Sequence, residues 1–216
     1  MAARRAVRAA AVALAALCLA AAAPNVANAT NGGAGAAAPP PPRKPPPLEA
    51  LFGGPFTLTD HNGRTVTDGT FRGRFTLLYF GYTFCPDLCP TNLLTMAEAV
   101  EALGPEQAGR VQPLFVTVDP ERDDPAALRD YMAHFGPRFL GLRGTPAQTR
   151  AVLRAWRIHR RKVPAGAGAD ADDYLVDHAT LTFLMGPDGK FRTLFPHDTR
   201  AEKMTATLRR YLAAER

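Results

Sequence analysis

The chain has 216 residues, 46% hydrophobic and 21% charged, enough for one domain with a full core beside terminal segments that cannot build one. Its formal net charge of +6 falls to +3 once the three arginines of the first eight residues are set aside, and no Lys/Arg cluster with interleaved aromatics remains. That balance excludes reading the basic charge as nucleic-acid binding.

The first 29 residues read as an export signal to the periplasm or cell envelope. Arg4, Arg5 and Arg8 form a basic start, Ala9–Ala23 is an uncharged apolar stretch of 15 residues, and Ala27-Asn28-Ala29 offers a small-x-small cleavage site. The stretch is shorter than the roughly 20 residues that span a bilayer, so cleavage after Ala29 is expected, with retention as an N-terminal membrane anchor as the alternative. Leu17 stands where a lipid anchor on Cys18 would need a small residue, and the apolar block lacks the arginine and serine of a mitochondrial presequence. Residues 30–47 are a Pro/Ala/Gly-rich linker ending in the run Pro39–Pro47, a polyproline spacer of roughly 3 Å per residue. The domain is expected over residues 48–216.

Within it the elements alternate. Phe56–Thr59 reads as a strand entering the turn Asp60-His61-Asn62-Gly63, with Asn-Gly as the turn signal. Phe75–Phe80 is the nearly continuous apolar run of a central strand covered on both faces. A helix follows, starting at Pro90, with Leu93, Met96, Ala97, Val100 and Leu103 at helical spacing and a stop at Gly104-Pro105. Val111–Val118 is a second buried strand. A helix from Asp124, with Pro125 in its first turn, buries Leu128, Tyr131, Met132 and Phe135. Phe139–Leu142 reads as a short strand, and Thr145-Pro146 opens a helix with Val152, Leu153 and Trp156 inward. Arg157–Lys162 reads as a solvated helix end or docking patch, since a helix C-terminus favours cations. Thr180–Met185, the turn Gly186–Gly189 and Phe191–Phe195 form a hairpin, and a Thr199/Glu202 capping box starts a last helix that buries Met204, Leu208, Tyr211 and Leu212. The alternation argues for an α/β fold with a central mixed sheet flanked by helices, in thioredoxin-like order.

The chemistry concentrates in Cys85-Pro86-Asp87-Leu88-Cys89, where the first buried strand hands over to a helix. These are the only cysteines beyond residue 29. With Pro90 at the first helical position, Cys89 is expected at or near the N-cap, where free backbone N–H groups stabilise a thiolate. Two soft sulfurs suit a thiophilic metal such as cuprous copper or zinc, or thiol redox chemistry. A structural disulfide would close almost no loop and restrict the unfolded chain little. A metal needs a third donor. His178, just before a core strand, is the candidate, although taken alone it reads better as a satisfied core or loop histidine. His61, His134, His159 and His197 are expected to be solvent-facing or capping, and Asp87 to be a turn residue, with a supporting group behind the ligands or a weak ligand as the alternatives.

Three segments carry a resemblance: Tyr79–Pro90, Val116–Asp123, and Asp173–His178 with Gly186–Gly189. In this order they resemble the SCO/SenC family, thioredoxin-fold copper chaperones of cytochrome c oxidase assembly, over nearly all of the chain from Leu51 onward. The resemblance implies that Cys85, Cys89 and His178 are copper ligands. It also implies delivery of copper to the binuclear copper centre of oxidase subunit II, with other copper carriers or thiol reductases as further partners. Asp119-Pro-Glu-Arg-Asp123 resembles a family hallmark and is otherwise explained as a strand exit leading to a helix cap. Phe84 stands where some relatives carry a polar residue.

The competing function is thiol–disulfide exchange or redox sensing, with Cys85 and Cys89 as a redox-active disulfide. Against a reductase stand the spacing wider than Cys-x-x-Cys, the absence of Trp before the motif, and Asp177-His178-Ala179 where a proline is expected. Against a thiol peroxidase stands Tyr82, three residues before Cys85, in place of threonine. Only Met96, Met132, Met185 and Met204 follow the signal, too few for a methionine-lined copper carrier. No catalytic residue is assigned.

Overall fold

The computed structural model describes residues 46–47, 50–168, 170 and 172–215. The expected signal, Cys18 and all but the last two linker residues lie outside these, and the fold belongs to the unit Lys44–Arg216. Among the described residues no helix is long and apolar enough to cross a membrane.

Among the described residues nine strands and five α-helices follow in order: β1 (Thr57–Asp60), β2 (Thr65–Thr67), β3 (Phe75–Gly81), α1 (Leu88–Glu101), the one-turn α2 (Pro105–Ala108), β4 (Val111–Thr117), α3 (Pro125–Ala133), β5 (Leu140–Arg143), α4 (Pro146–Ala155), β6 (Arg160–Pro164), β7 (Tyr174–His178), β8 (Thr182–Met185), β9 (Phe191–Phe195) and α5 (Ala201–Ala214). Seven strands form one mixed sheet in the order β2-β1-β5-β4-β3-β8-β9. β3, β4 and β5 run parallel, while β1, β8 and β9 are antiparallel to their neighbours. Every residue of β3 and β4 is buried, as a central strand with both faces covered requires.

The pleat of β3 divides the core. Tyr79 stacks beside Phe115, which meets Tyr131 of α3, and the Tyr79 hydroxyl reaches Cys89 of α1. On the opposite face Phe80, Phe183 and Trp156 meet edge to face, and Phe52 closes over Phe183 and Phe191. α5 lies against α1, where the Thr205 hydroxyl donates to the Ala99 carbonyl at 3.2 Å. α3 and α4 begin as the sequence indicates. Asp124 accepts from the Ala127 N–H, and Thr145 with Gln148 forms a reciprocal cap.

Four expectations change. Arg160–Lys162 is not a helix end: with Val163 and Pro164 it forms β6, which pairs with β7 as a separate two-stranded ribbon. Tyr174–His178 is therefore itself a strand. The α5 capping box is absent, because the Thr199 N–H closes a turn onto the Pro196 carbonyl and leaves extended Arg200 as the N-cap. His61 is buried rather than solvent-facing. Its Nδ1 accepts from the Gly141 N–H at 3.1 Å, and its carbonyl accepts from Arg129. His134, His159 and His197 are exposed as expected.

Phe183 is fully buried at the centre of the second aromatic cluster. Phe183→Ala is expected to cost about 3–5 kcal/mol of stability, read as a fall in the urea midpoint without a change in slope.

Candidate metal centre

β3 ends at Gly81, a position that has no room for a side chain. A Cβ on Gly81 would stand 2.8 Å from Phe115, 2.9 Å from the Cys89 sulfur and 2.9 Å from Tyr79. The chain then passes through Tyr82–Pro86 into α1. Asp87 is the N-cap residue, so Cys89 is the second helical residue and Pro90 the third. A proline there forfeits nothing, since the first four helical N–H groups have no intrahelical partner. Cys89 is thus one position inside the helix rather than at its cap.

This places the two thiols differently. Cys89 is completely buried, with the Tyr79 hydroxyl 3.8 Å from its sulfur. Cys85 is half-buried in the loop and receives the helix-terminal N–H of Cys89 at 3.4 Å. Both are free thiols. The Cys85 pKa is lowered to about 4, chiefly because the Cys89 thiol donates to it. The His178 imidazole and the backbone N–H groups of Asp87 and Cys89 add to the effect, against the cost of burial. Cys89 is pushed upward by giving its proton to Cys85 and by burial. The pair therefore shares one proton, and Cys85, not Cys89, is the helix-stabilised thiolate.

His178 ends β7, 89 residues from Cys89 in sequence, yet its Nε2 lies 3.6 Å from the Cys89 sulfur. Its Nδ1 lies 3.0 Å from the Ala179 carbonyl, which can only accept, so Nδ1 carries a proton and Nε2 is the nitrogen turned toward the sulfurs. Tyr79 and Tyr82 hold the ring edge-on at 6.3 and 5.9 Å between centroids. The structure thus brings Cys85, Cys89 and His178 into contact. The contacts are pairwise: among the described residues no group of three or more His, Cys, Asp or Glu is already arranged around one ion position. Asp87 is exposed and its side chain makes no cap bond. It reaches Cys85 through its backbone N–H alone.

Sequence reasoning passed over the residues that support this trio. Asp123, completely buried, accepts from the Thr83 N–H and hydroxyl and from the Thr117 hydroxyl, tying the cysteine loop to the end of β4. Burial raises its pKa against those hydrogen bonds. Tyr79 and Tyr82 wall the site. The signal that marks Asp123 is the Asp119–Asp123 segment, which the sequence explains only as a strand exit leading to a helix cap.

The SCO1/SenC family pattern matches residues 44–213. The chain belongs to that family. It is 43% identical over 164 residues to the mitochondrial protein SCO2 homolog of Bos taurus, an alignment covering 76% of this chain and 60% of that protein. The chain thus spans about three fifths of the length of that curated relative. Among solved structures it is similar to Bradyrhizobium japonicum ScoI with copper bound, at 43% identity and a TM-score of 0.68, covering 74% of this chain and 99% of the other. The likeness to BsSco, described as a disulfide-switch member of the Sco family of cytochrome c oxidase assembly proteins, carries the fold alone, at 23% identity and a TM-score of 0.61 over 79% and 98% of the two chains.

Because the Cys85 pKa is depressed, its thiolate is present above about 4 and is lost as pH falls through that value. Alkylation of the metal-free protein by iodoacetamide is expected at Cys85 alone, with a rate nearly flat between about pH 6 and 8. Mass spectrometry of the labelled peptides checks it; a rate rising tenfold per pH unit across that range contradicts a depressed pKa.

Proposed function

We propose that this protein binds one copper ion through Cys85, Cys89 and His178 and passes it to the binuclear copper centre of cytochrome c oxidase subunit II during oxidase assembly. The observation that carries the reading is the 3.6 Å separation of the Cys89 sulfur and the His178 nitrogen, with the Cys85 thiolate beside them. Two ligands sharing one ion at bond lengths of about 2.0–2.3 Å stand about 3.5–3.8 Å apart. The copper-bound ScoI structure supports the choice of metal, as does the softness of two sulfurs and an imidazole.

The chain's own groups account for loading and release. Cys85, already a thiolate and half exposed, meets an incoming ion first. Cys89 must give up the proton it shares with Cys85, so binding releases that proton to solvent. His178 presents Nε2 to the Cys89 sulfur as the nitrogen donor. Turning the Cys85 sulfur toward the Cys89–His178 pair completes the set. Three ligands leave a position open for an acceptor's donor, and the ion then passes by stepwise ligand exchange.

The residues before the domain fit export. The reading is a signal cleaved after Ala29, or kept as a membrane tether, with the proline-rich spacer between it and the domain in the periplasm or cell envelope. Other copper carriers or thiol reductases would load the site or keep its cysteines reduced. A second reading, disulfide exchange or redox sensing through Cys85 and Cys89, is favoured by the depressed pKa of one thiol beside a buried partner.

Anaerobic cuprous titration against a competing chelator tests the first reading. One ion per chain is expected, with affinity at least about tenfold weaker in His178→Ala and in Cys85→Ser. Unchanged affinity in His178→Ala removes that residue from the site. Rapid turnover of a disulfide substrate by the metal-free protein would put the second reading first.

A further inference from the structure

The Asp119–Asp123 segment is only partly explained by its neighbours. Asp124 alone caps α3, and Asp123 alone ties down Thr83. Asp119 and Arg122 do neither. Asp119 is completely buried, and its two oxygens serve the β6–β7 ribbon and Arg122 rather than the start of α3. One oxygen accepts from the Tyr174 hydroxyl at 2.9 Å and from Arg160 Nη2 at 3.4 Å; the other accepts from Arg122 Nε at 2.6 Å. Arg160 also donates from Nε to the Val118 carbonyl at 2.6 Å.

The guanidinium of Arg122 lies flat in the seam. Its central carbon is 3.7 Å from the centroid of Tyr174 on the ribbon, 4.7 Å from that of Phe84 and 5.8 Å from that of Tyr82 on the cysteine loop. One of its terminal nitrogens is buried without a hydrogen-bond partner. A charged side chain kept in such a place is held for its shape: a planar cation stacks on aromatic faces while its fork serves a carboxylate.

The ribbon needs such an attachment. It stands outside the seven-stranded sheet, and two strands alone are marginally stable in water. Its register places Arg160 directly opposite His178 at one end and Tyr174 opposite Pro164 at the other. Asp119 therefore grips both ends of the ribbon, one of them beside the imidazole.

We propose that Asp119, Arg122 and Tyr174 form a clamp that fixes the β6–β7 ribbon against the cysteine loop and so sets the distance from His178 to the sulfurs. Arg122 and Tyr174 are positioning residues: they reach the site through the ribbon and the loop, not by touching an ion. The inference deepens the copper-binding reading and rests on it for the role given to His178. With the clamp intact the imidazole is preorganised over Cys89. With it loosened, the ribbon carries the nitrogen donor away while both sulfurs stay with α1 and its loop.

The test uses Tyr174→Phe, which keeps the ring under the guanidinium and removes only the bond to Asp119, and Arg122→Lys, which keeps the charge and removes the planar fork. In the metal-free protein, amide hydrogen exchange over residues 160–164 and 174–178 is expected to accelerate about tenfold in each, with β3 and α1 unchanged. In cuprous titration against a chelator, each variant is expected to weaken binding by about tenfold alone and by no further factor when combined with His178→Ala. Unchanged ribbon exchange, acceleration spread equally over β3 and α1, or the same loss of copper with His178 already removed would each overturn the clamp. If His178→Ala itself leaves copper affinity intact, the ligand reading fails, and the clamp is then judged by the exchange measurement alone.

Discussion

β3 and β4 run parallel through seven consecutive pairs, from Phe75 opposite Val111 to Gly81 opposite Thr117. Both strands are buried on both faces, so neither can slip without moving its whole apolar set. The pairing delivers two loops to one edge of the sheet: Tyr82–Asp87 with the first cysteine, and Val118–Asp124 with the acids. Everything at the site is built across that edge. The Val118 N–H donates to the Gly81 carbonyl at 2.7 Å, and Asp123 reaches back to Thr83, so the loops are tied together before any metal chemistry is considered.

The electrostatics of the thiol pair follow from that placement. The outer sulfur accepts from the buried Cys89 thiol and from the N–H groups at the opening of the helix; the inner sulfur is enclosed, gives its proton to the outer one, and has the Tyr79 hydroxyl 3.8 Å away. The difference separates two chemically identical groups into a thiolate and a thiol, with one proton between them. The imidazole comes from the β6–β7 ribbon, an arm that belongs to neither helix nor main sheet. The site thus joins one rigid partner, α1, to one attached by a few polar and stacking contacts.

Most of the fold was legible because the strands that matter are apolar throughout and the helices carry their own stops and caps. Phe75–Phe80 and Val111–Val118 could be little else, and Asp124-Pro125 and Thr145-Pro146 mark helix starts that the structure keeps. The ribbon was not legible. Arg160-Arg161-Lys162-Val163-Pro164 has no apolar alternation, and its strand character comes entirely from pairing with β7. Cys85, Cys89 and His178, which the structure brings together, could be picked out by type and by family resemblance, but the helix-stabilised thiolate was expected on Cys89 and falls on Cys85. Counting Pro90 as the first helical residue placed Cys89 at the cap, whereas a proline fits equally well two positions later. His61 was misjudged because its burial depends on β5, eighty residues away, which supplies both a donor and an acceptor to it.

The complete enclosure of Cys89 has one more consequence. No soft electrophile from solvent, be it an ion, an oxidant or an alkylating reagent, meets the inner sulfur before the outer one. Gly81, which leaves no space for even a methyl group beneath that sulfur, closes the back of the chamber as firmly as Tyr79 closes its side. Whatever reaches this pair from solvent therefore meets the outer sulfur first, an order imposed by packing rather than by affinity.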